Sequence, residues 1–168
     1  MNLQNDPLTG LLTRKLGFAE IERLVENDES FGLILSDIDD FKRFNDTYSH
    51  SQGDELLCTL ADVFRETVGK SETVMRLGGD EFVIFLPDFD KNSALEMAER
   101  IRSQIEDLTV EIDGEKISSP TVTLGAAIYP FHGEDLESIL RNADEALIRG
   151  KNAGKNNVII LEKRFEFP

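Results

Sequence analysis

The spacing of apolar residues changes along this chain, and the changes predict where helices and strands lie. From Phe18 onward, apolar side chains recur every three or four positions, which is typical of a helix with one buried face. The next apolar run is continuous and ends just before Asp37, as expected of a strand buried on both faces. The pattern predicts helices over residues 18–27, 39–46, 51–68, 93–105 and 136–148, and strands over 31–35, 73–77, 80–86, 121–129 and 158–161.

Two hairpins are predicted from their turn residues. A pair of glycines at 78–79 separates the strands over 73–77 and 80–86, and a smaller hairpin over 109–117 surrounds an Asp-Gly turn. Without the first helix and the small hairpin, the element order is β-α-α-β-β-α-β-α-β. This order predicts an α/β chain of the α+β kind, with a split βαβ core and a central, mostly antiparallel sheet flanked by helices.

Composition and charge argue against several classes of function. A length of 168 residues favours a single domain over residues 1–168. The 33 acidic residues outnumber the 18 basic ones and give a net charge of −15, which argues against contact with nucleic acid or with a membrane surface. The single cysteine, Cys58, cannot form an internal disulfide, and no apolar run approaches the roughly 20 residues of a membrane span. Because the N-terminus also lacks a signal-like segment, we expect a cytoplasmic protein.

Carboxylates stand near the ends of two predicted strands. Asp37 follows the first apolar run, and Asp80 and Glu81 follow the two glycines. Magnesium on a nucleotide takes one or two carboxylates together with phosphate and water oxygens, so these acids are candidate ligands. Each feature also has a simpler interpretation: Asp37 as an acid at a helix start, the glycines as an ordinary turn, and Glu81 as a solvated strand residue. Their occurrence together favours a metal site.

Other polar residues fit nucleotide recognition but have ordinary structural interpretations as well. Lys42 is predicted in the first turn of a short helix, where free backbone N–H groups also attract phosphate. Lys151 and Lys155 flank a predicted helix end, where lysines also complement the helix dipole. Asn45 and Asp54 offer an amide and a carboxylate that match the edges of guanine, although both positions also suit helix termini.

Over nearly its whole length the chain resembles the GGDEF domain of diguanylate cyclases. The stretch Arg-Leu-Gly-Gly-Asp-Glu-Phe at residues 76–82 contains the five-letter signature of that family, which is weak evidence by itself. The resemblance becomes specific because further blocks occur in the family's order and spacing. The matching blocks are residues 6–11, 37–42, 45–46, 50, 53–54, 76–82, 143–147 and 151–156.

This resemblance implies a fold like that of nucleotidyl cyclases and polymerase palms. It also implies an enzyme in which two GTP molecules, one on each of two transiently paired GGDEF domains, condense to cyclic di-GMP and two pyrophosphates. The implied cofactor is Mg²⁺, with Mn²⁺ as an alternative. Family correspondence assigns the metal to Asp37, the Ile38 carbonyl, Asp80 and Glu81; catalysis to Glu81, as ligand or base, and Lys42; guanine to Asn45 and Asp54; phosphates to Lys42, Lys151 and Lys155; and a further substrate contact to Phe41.

Two other functions are compatible with these residues. A degenerate GGDEF module would bind GTP or a partner protein without catalysis, and a related cyclase would make an adenine-containing product. Intact Asp37, Asp80 and Glu81 argue against the first, and Asp54 argues for guanine. Because the family usually carries an N-terminal sensor domain before its first motif, we expect this chain to be a piece of a longer sensor protein.

The chain departs from the family pattern at Ser49, over residues 148–150 and at two further positions that bear more directly on function. Lys155 stands where the family usually has arginine, which keeps the charge but loses the two-pronged geometry of a guanidinium. Gly69 stands where the family's inhibitory product site begins with an arginine, in the stretch that ends at Glu72. We therefore expect feedback inhibition through that site to be weak.

Overall fold

The computed structural model describes residues 5–70 and 73–168. Glu72, in the stretch that matches the product site, lies outside the described residues. None of the described helices is both long enough and apolar enough to cross a lipid bilayer. The elements are β1 (Leu12–Thr13), α1 (Arg14–Glu26), β2 (Phe31–Ile38), α2 (Phe41–Thr47), α3 (His50–Val68), β3 (Thr73–Gly78), β4 (Glu81–Pro87), α4 (Lys91–Glu106), β5 (Thr109–Ile112), β6 (Glu115–Ser118), β7 (Val122–Tyr129), α5 (Leu136–Asn152) and β8 (Val158–Ile160).

A six-stranded sheet forms the centre of the fold, with the strand order β1-β3-β4-β2-β7-β8. β2 lies in the middle and pairs antiparallel with β4 on one side and β7 on the other. The outer pairs, β1 with β3 and β7 with β8, are parallel. The predicted α+β fold, with a mostly antiparallel sheet flanked by helices, is therefore confirmed.

Helices cover both faces of the sheet because its central strands are apolar on both sides. Ile34 and Ile38 of β2 belong to a buried cluster shared with α3 and α4, whereas Leu33 and Leu35 belong to a second cluster shared with α1 and α5. Successive residues of a strand point to opposite faces, so one strand contributes to two cores. Because every residue of β2 is buried, a polar side chain such as Asp37 is held in surroundings with little water.

The structure differs from the predicted elements around the first apolar strand. β2 continues to Ile38, beyond the predicted end at residue 35, because β4 and β7 go on pairing with it past the apolar run. Asp37 is therefore a strand residue, and its interpretation as an acid at a helix start is wrong. α2 begins only at Phe41, since Asp40 has a left-handed backbone with φ 56°, which a helix cannot include.

The N-terminal elements also depart from the prediction. α1 begins at Arg14 rather than at residue 18. The strand before it, β1, pairs in parallel with Met75 and Arg76 of β3. A strand of two residues leaves no periodicity that a sequence pattern can detect.

The glycine turn lies one residue later than predicted. Gly78 ends β3 and Glu81 begins β4, so Gly79 and Asp80 form the tip of the hairpin. Gly79 adopts φ 54°, in the left-handed region that glycine enters without strain. Asp80 is therefore a turn residue, not the first residue of a strand.

Candidate metal and nucleotide site

Three acidic residues meet where β2 and the β3-β4 hairpin come side by side. Asp37 lies on β2 directly opposite Glu81 of β4, and the N–H of Ile38 donates to the carbonyl of Asp80 at 3.4 Å. Asp37 is 9% exposed, whereas Glu81 is exposed. The fold thus places Asp37 and Ile38 beside Asp80 and Glu81, although the two pairs come from separate parts of the chain.

Crowding of these carboxyl groups changes the acidity of Asp80. Its pKa is raised to about 7, first by burial and then by a hydrogen bond and charge repulsion from Asp37, with a smaller repulsion from Glu81. When no cation is bound, the Asp80 carboxyl group therefore keeps its proton to a higher pH than an ordinary aspartate does. A divalent cation would displace that proton, because its charge stabilises both carboxylates.

The oxygen atoms where β2 lies beside the β3-β4 turn suit a hard cation that also binds ligands from outside the protein. The described residues contain no group of three or more His, Cys, Asp or Glu side chains arranged as a complete metal site. Asp37 and Asp80 instead form a pair, which matches the one or two carboxylates that Mg²⁺ takes when phosphate and water fill its other positions. The residues present therefore fit Mg²⁺ on a phosphate ligand.

Two of the candidate phosphate lysines form ion pairs with acids at the end of β2 or just beyond it. Lys151, in the last turn of α5, donates from Nζ to Oδ2 of Asp37. Burial alone would lower the pKa of Lys151, but the hydrogen bond and the charge of Asp37 raise it. Lys155 donates from Nζ to Oδ1 of Asp40 at 2.7 Å, and this contact raises the pKa of Lys155 as well. Both ammonium groups therefore carry their charge at neutral pH.

The two candidates at the start of α2 have different surroundings. Lys42 is exposed in the first helical turn, so its ammonium group is accessible to a ligand. Phe41 is half-buried and packs against the core beneath the helix. Phe41 therefore holds the start of α2 in place, and only its exposed part is available to a substrate.

Asn45 and Asp54, the candidate guanine residues, lie where α2 packs on α3. The side chain of Asn45 lies against Gly53, where a Cβ atom would be 1.7 Å from its Oδ1. That oxygen is buried and accepts no hydrogen bond from the described residues. Asp54 follows Gly53 and is exposed. Together they present an unsatisfied amide oxygen beside a solvent-facing carboxylate, and both need donor groups from a ligand or water.

Asp39 supports this site but was not among the candidates. It is 6% exposed and accepts hydrogen bonds from the hydroxyls of Thr121 and Thr123 at 2.7 and 2.6 Å. It also accepts from the backbone N–H of Asn156 at 3.0 Å. A second carboxylate just beyond a buried strand is the signal that identifies such a residue, since a buried charge must find partners.

Arg76 is a second supporting residue that the candidate list lacks. Its Nε and Nη2 donate to the carbonyl of Gly79 at 3.1 and 2.8 Å, and its Nη1 donates to Oδ2 of Asp6 at 3.2 Å. Asp6 also accepts from the N–H and the hydroxyl of Thr9 at 2.8 and 2.7 Å. The arginine therefore fixes the turn that carries Asp80 against the N-terminal turn.

Several known proteins are similar in sequence to this chain over most of its length. Residues 3–157 match the family model described as diguanylate cyclase, GGDEF domain. The chain is 39% identical over 158 residues to diguanylate cyclase DosC of Escherichia coli, covering 91% of this chain and 34% of DosC. It is 36% identical over 135 residues to diguanylate cyclase A of Treponema denticola, covering 80% of this chain and 36% of that protein. The chain thus spans about a third of the length of these relatives.

Solved structures give the same result for the fold. The GGDEF domain of DgcB from Caulobacter crescentus, in complex with c-di-GMP, superposes with a TM-score of 0.89 at 30% sequence identity. The match covers 95% of this chain and 96% of that one. The whole described fold is therefore that of a GGDEF domain.

Proposed function

Since the chain belongs to the GGDEF domain family of diguanylate cyclases, we propose that it condenses two GTP molecules to cyclic di-GMP and two pyrophosphates. The observation that carries this proposal is the pair of carboxyl groups on Asp37 and Asp80, with the pKa of Asp80 raised to about 7. Crowding two acids where β2 lies beside the β3-β4 turn is unfavourable for the fold itself. Such an arrangement is typical of a site whose charge is completed by a bound cation.

The cation in this proposal is Mg²⁺, with Mn²⁺ as an alternative, held by Asp37, Asp80 and the carbonyl of Ile38. When bound, it neutralises the triphosphate and polarises the α-phosphorus. The carboxylates fix where that charge lies, because β2 and the glycine turn hold them in place. Family correspondence adds Glu81 as a further ligand, and its position opposite Asp37 supports this role.

Lysines supply the remaining positive charge for the phosphates. Lys151 pairs with Asp37 in this structure, and a cation at Asp37 would repel its ammonium group toward the nearest anion, which is the bound triphosphate. Lys155 and Lys42 are the other two cations of the proposal. Phosphoryl transfer depends mainly on positioning and on neutralising charge, so three lysines and one metal ion are the expected machinery.

Guanine is the base that Asn45 and Asp54 fit best. Guanine presents N–H donors at N1 and N2, which a carboxylate accepts, whereas adenine has no donor at either position. The oxygen of Asn45, which accepts no hydrogen bond from the described residues, is the second acceptor that we propose for the base. Because ATP would leave these acceptors unpaired, we expect GTP to be preferred by about 10³-fold or more.

In the proposed reaction, the 3′-oxygen of one GTP bonds to the α-phosphorus of the other. The bond from that phosphorus to the pyrophosphate oxygen breaks, and the hydroxyl proton passes to Glu81 or to solvent. In the second step, the 3′-oxygen of the other GTP bonds to the α-phosphorus of the first and displaces its pyrophosphate, which closes the ring. One chain holds one set of metal, phosphate and base residues, so two copies must face each other about a two-fold axis.

The proposal extends to the surroundings of the domain. The net charge of −15 opposes association of two copies, so their pairing is transient unless another segment joins them. An N-terminal sensor domain in the same polypeptide is the expected segment. The reaction is placed in the cytoplasm, in keeping with the single unpaired cysteine.

Incubation with GTP and Mg²⁺, followed by separation of the nucleotides, tests this function. The proposal expects cyclic di-GMP and two pyrophosphates for each cyclic product. Recovery of GTP alone would favour a degenerate binding module, and a mixed cyclic dinucleotide formed when ATP is added would favour the adenine-using alternative. The Asp80→Asn variant, assayed in parallel, shows that any product comes from this site and not from a contaminating enzyme.

A further inference from the structure

Asp39 is a buried carboxylate for which the proposed reaction has no use. It takes hydrogen bonds from Thr121, from Thr123 and from the N–H of Asn156, and its own N–H donates to the carbonyl of Thr121 at 2.8 Å. A single side chain therefore joins the end of β2 to β7 and to the turn that follows α5.

The turn that Asp39 holds is the one that carries Lys155. Lys155 and Asn156 both have left-handed backbones, with φ 64° and 47°. This conformation is unfavourable for residues with side chains, so the surrounding contacts must maintain it. The N–H of Asn156 donates to Asp39 at 3.0 Å and to the hydroxyl of Thr123 at 3.1 Å, and these bonds fix the turn from the side of the sheet.

Helix α4 holds the same turn from the other side. The amide of Asn156 donates to Glu106 at 2.8 Å and accepts from Arg102 at 2.9 Å. Arg102 is also paired with Glu99 and Glu106, and its side chain is 15% exposed. Asn156 is therefore fixed at its backbone by Asp39 and at its side chain by α4, which leaves the turn one orientation relative to β2.

From these contacts we propose that Asp39 is a positioning residue, which sets the distance between the metal-binding acids and the ammonium group of Lys155. Asp37 and Asp39 follow each other closely along one backbone, so the strand that places the metal ligand also places the anchor of the turn. A triphosphate bound at Asp37 would then find Lys155 already in position, because the turn would not have to change its conformation first. This inference rests on the proposed function for the identity of the ligand, but the anchoring itself is measurable without it.

The direct test is amide hydrogen exchange in the Asp39→Asn variant. The substitution keeps the size of the side chain but removes the negative charge, so the hydrogen bonds from the N–H of Asn156 and from the two threonine hydroxyls are no longer charge-assisted and become weaker. We expect exchange at residues 153–157 to rise about tenfold or more, while the amides of α3 keep their protection. An unchanged turn, or a uniform rise over the whole chain, would overturn the proposal.

Asp40→Asn is the matched control. It removes the neighbouring acid that pairs with the Lys155 side chain, but it removes no bond to the backbone of the turn. Exchange of the Asn156 N–H should therefore stay as in the native chain. Equal deprotection by both substitutions would show that acidity near the turn, and not the anchor, is what matters.

Threonine variants keep the proposal testable if Asp39→Asn does not fold. Thr121→Val removes the hydroxyl that donates to Asp39, whereas Thr121→Ser retains it. We expect Thr121→Val to deprotect residues 153–157 and Thr121→Ser to restore the native pattern. Identical exchange in the two variants would contradict a role of this hydroxyl network in holding the turn.

A double-mutant cycle separates positioning from simple structural support. The measured quantity is the Kd of a GTP analogue with a non-cleavable α–β bridge, in the presence of Mg²⁺. Lys155→Ala should raise the Kd about tenfold in the native chain but much less in the Asp39→Asn background, because the lysine is already misplaced there. If Lys155→Ala raises the Kd by the same factor in both backgrounds, the proposal is overturned. Absence of cyclic product from the native chain would instead refute the proposed function, while hydrogen exchange still decides the role of Asp39.

Discussion

Arg76 and Asp6 form an ion pair between distant parts of the chain, with Nη1 3.2 Å from Oδ2 and side chains 15% and 18% exposed. The same guanidinium donates twice to the carbonyl of Gly79. One arginine therefore connects the N-terminal turn to the turn that carries Asp80. A displacement of the N-terminal turn would therefore shift the turn that carries Asp80, a proposed metal ligand.

The first prediction concerns this arginine. Arg76→Lys keeps the charge but cannot bond Gly79 and Asp6 at once, so turnover of GTP should fall about tenfold as Asp80 loses its fixed position. Arg65→Lys is the matched control, since Arg65 also donates to the N-terminal turn, through the carbonyl of Thr9, but no bond joins it to the glycine turn. Steady-state kinetics of both variants check this, and equal turnover in the two would contradict it.

Metal binding gives the second prediction. Asp37→Asn and Asp80→Asn each remove a charged ligand, so each should lower turnover by about 10³-fold or more while the fold is retained. Asp62→Asn, which alters an exposed acid paired with Arg65, should leave turnover unchanged. Circular dichroism reports the fold and product chromatography the activity. Turnover near that of the native chain in either ligand variant would remove the basis of the metal assignment.

The third prediction concerns pH. In the metal-free folded chain the pKa of Asp80 is raised from 3.8 to about 7, so the folded state binds this proton more tightly than the unfolded state does. The stability that the protonated group contributes is complete below pH 3.8, is lost as the pH rises toward 7, and changes no further above 7. Asp80→Asn cannot ionise and should avoid this loss.

Urea unfolding in the presence of a chelator measures the effect. The free energy of unfolding of Asp80→Asn minus that of the native chain should grow between about pH 4 and pH 7 and then stay constant. A difference that is the same at every pH would show that Asp80 does not titrate in this range.

Pattern and resemblance predicted much of this fold and site, and the failures have physical causes. The apolar run predicts the central strand but not its last residues, because Asp37 is polar and yet pairs on both sides. Burial of that carboxylate is possible because Lys151, from the far end of the chain, supplies a counter-charge. No local window contains both residues, so periodicity cannot report their contact.

The supporting residues were harder to predict than the candidate ligands. Asp39 and Arg76 act through partners that are remote in sequence, and their importance appears only when the partners are adjacent in space. Gly53 belongs to a block that matches the family, but the structure shows why glycine is needed there: the Asn45 amide occupies the space of a Cβ atom. Such close contacts depend on how α2 packs on α3, which single-sequence patterns do not contain.

This contact at Gly53 leads to the fourth prediction. Gly53→Ala would place a Cβ atom 1.7 Å from Oδ1 of Asn45, so the amide must move away. The KM for GTP should rise about tenfold, while stability is largely kept because alanine favours the helix over glycine by about 1 kcal/mol. Asn45→Ala should raise the KM of the native chain, but it should not raise the KM of the Gly53→Ala variant any further. Independent effects of the two substitutions would contradict a shared role.

The dependence of specific activity on enzyme concentration tests the central claim most directly, because two copies must meet for every cyclic product. With saturating GTP and Mg²⁺, cyclic di-GMP formed per chain should rise steeply over a hundredfold increase in enzyme, and fusion to a dimeric coiled coil should raise it further at the lowest concentration. A specific activity that stays flat across this range, in a chain shown to be monomeric throughout, would contradict the account.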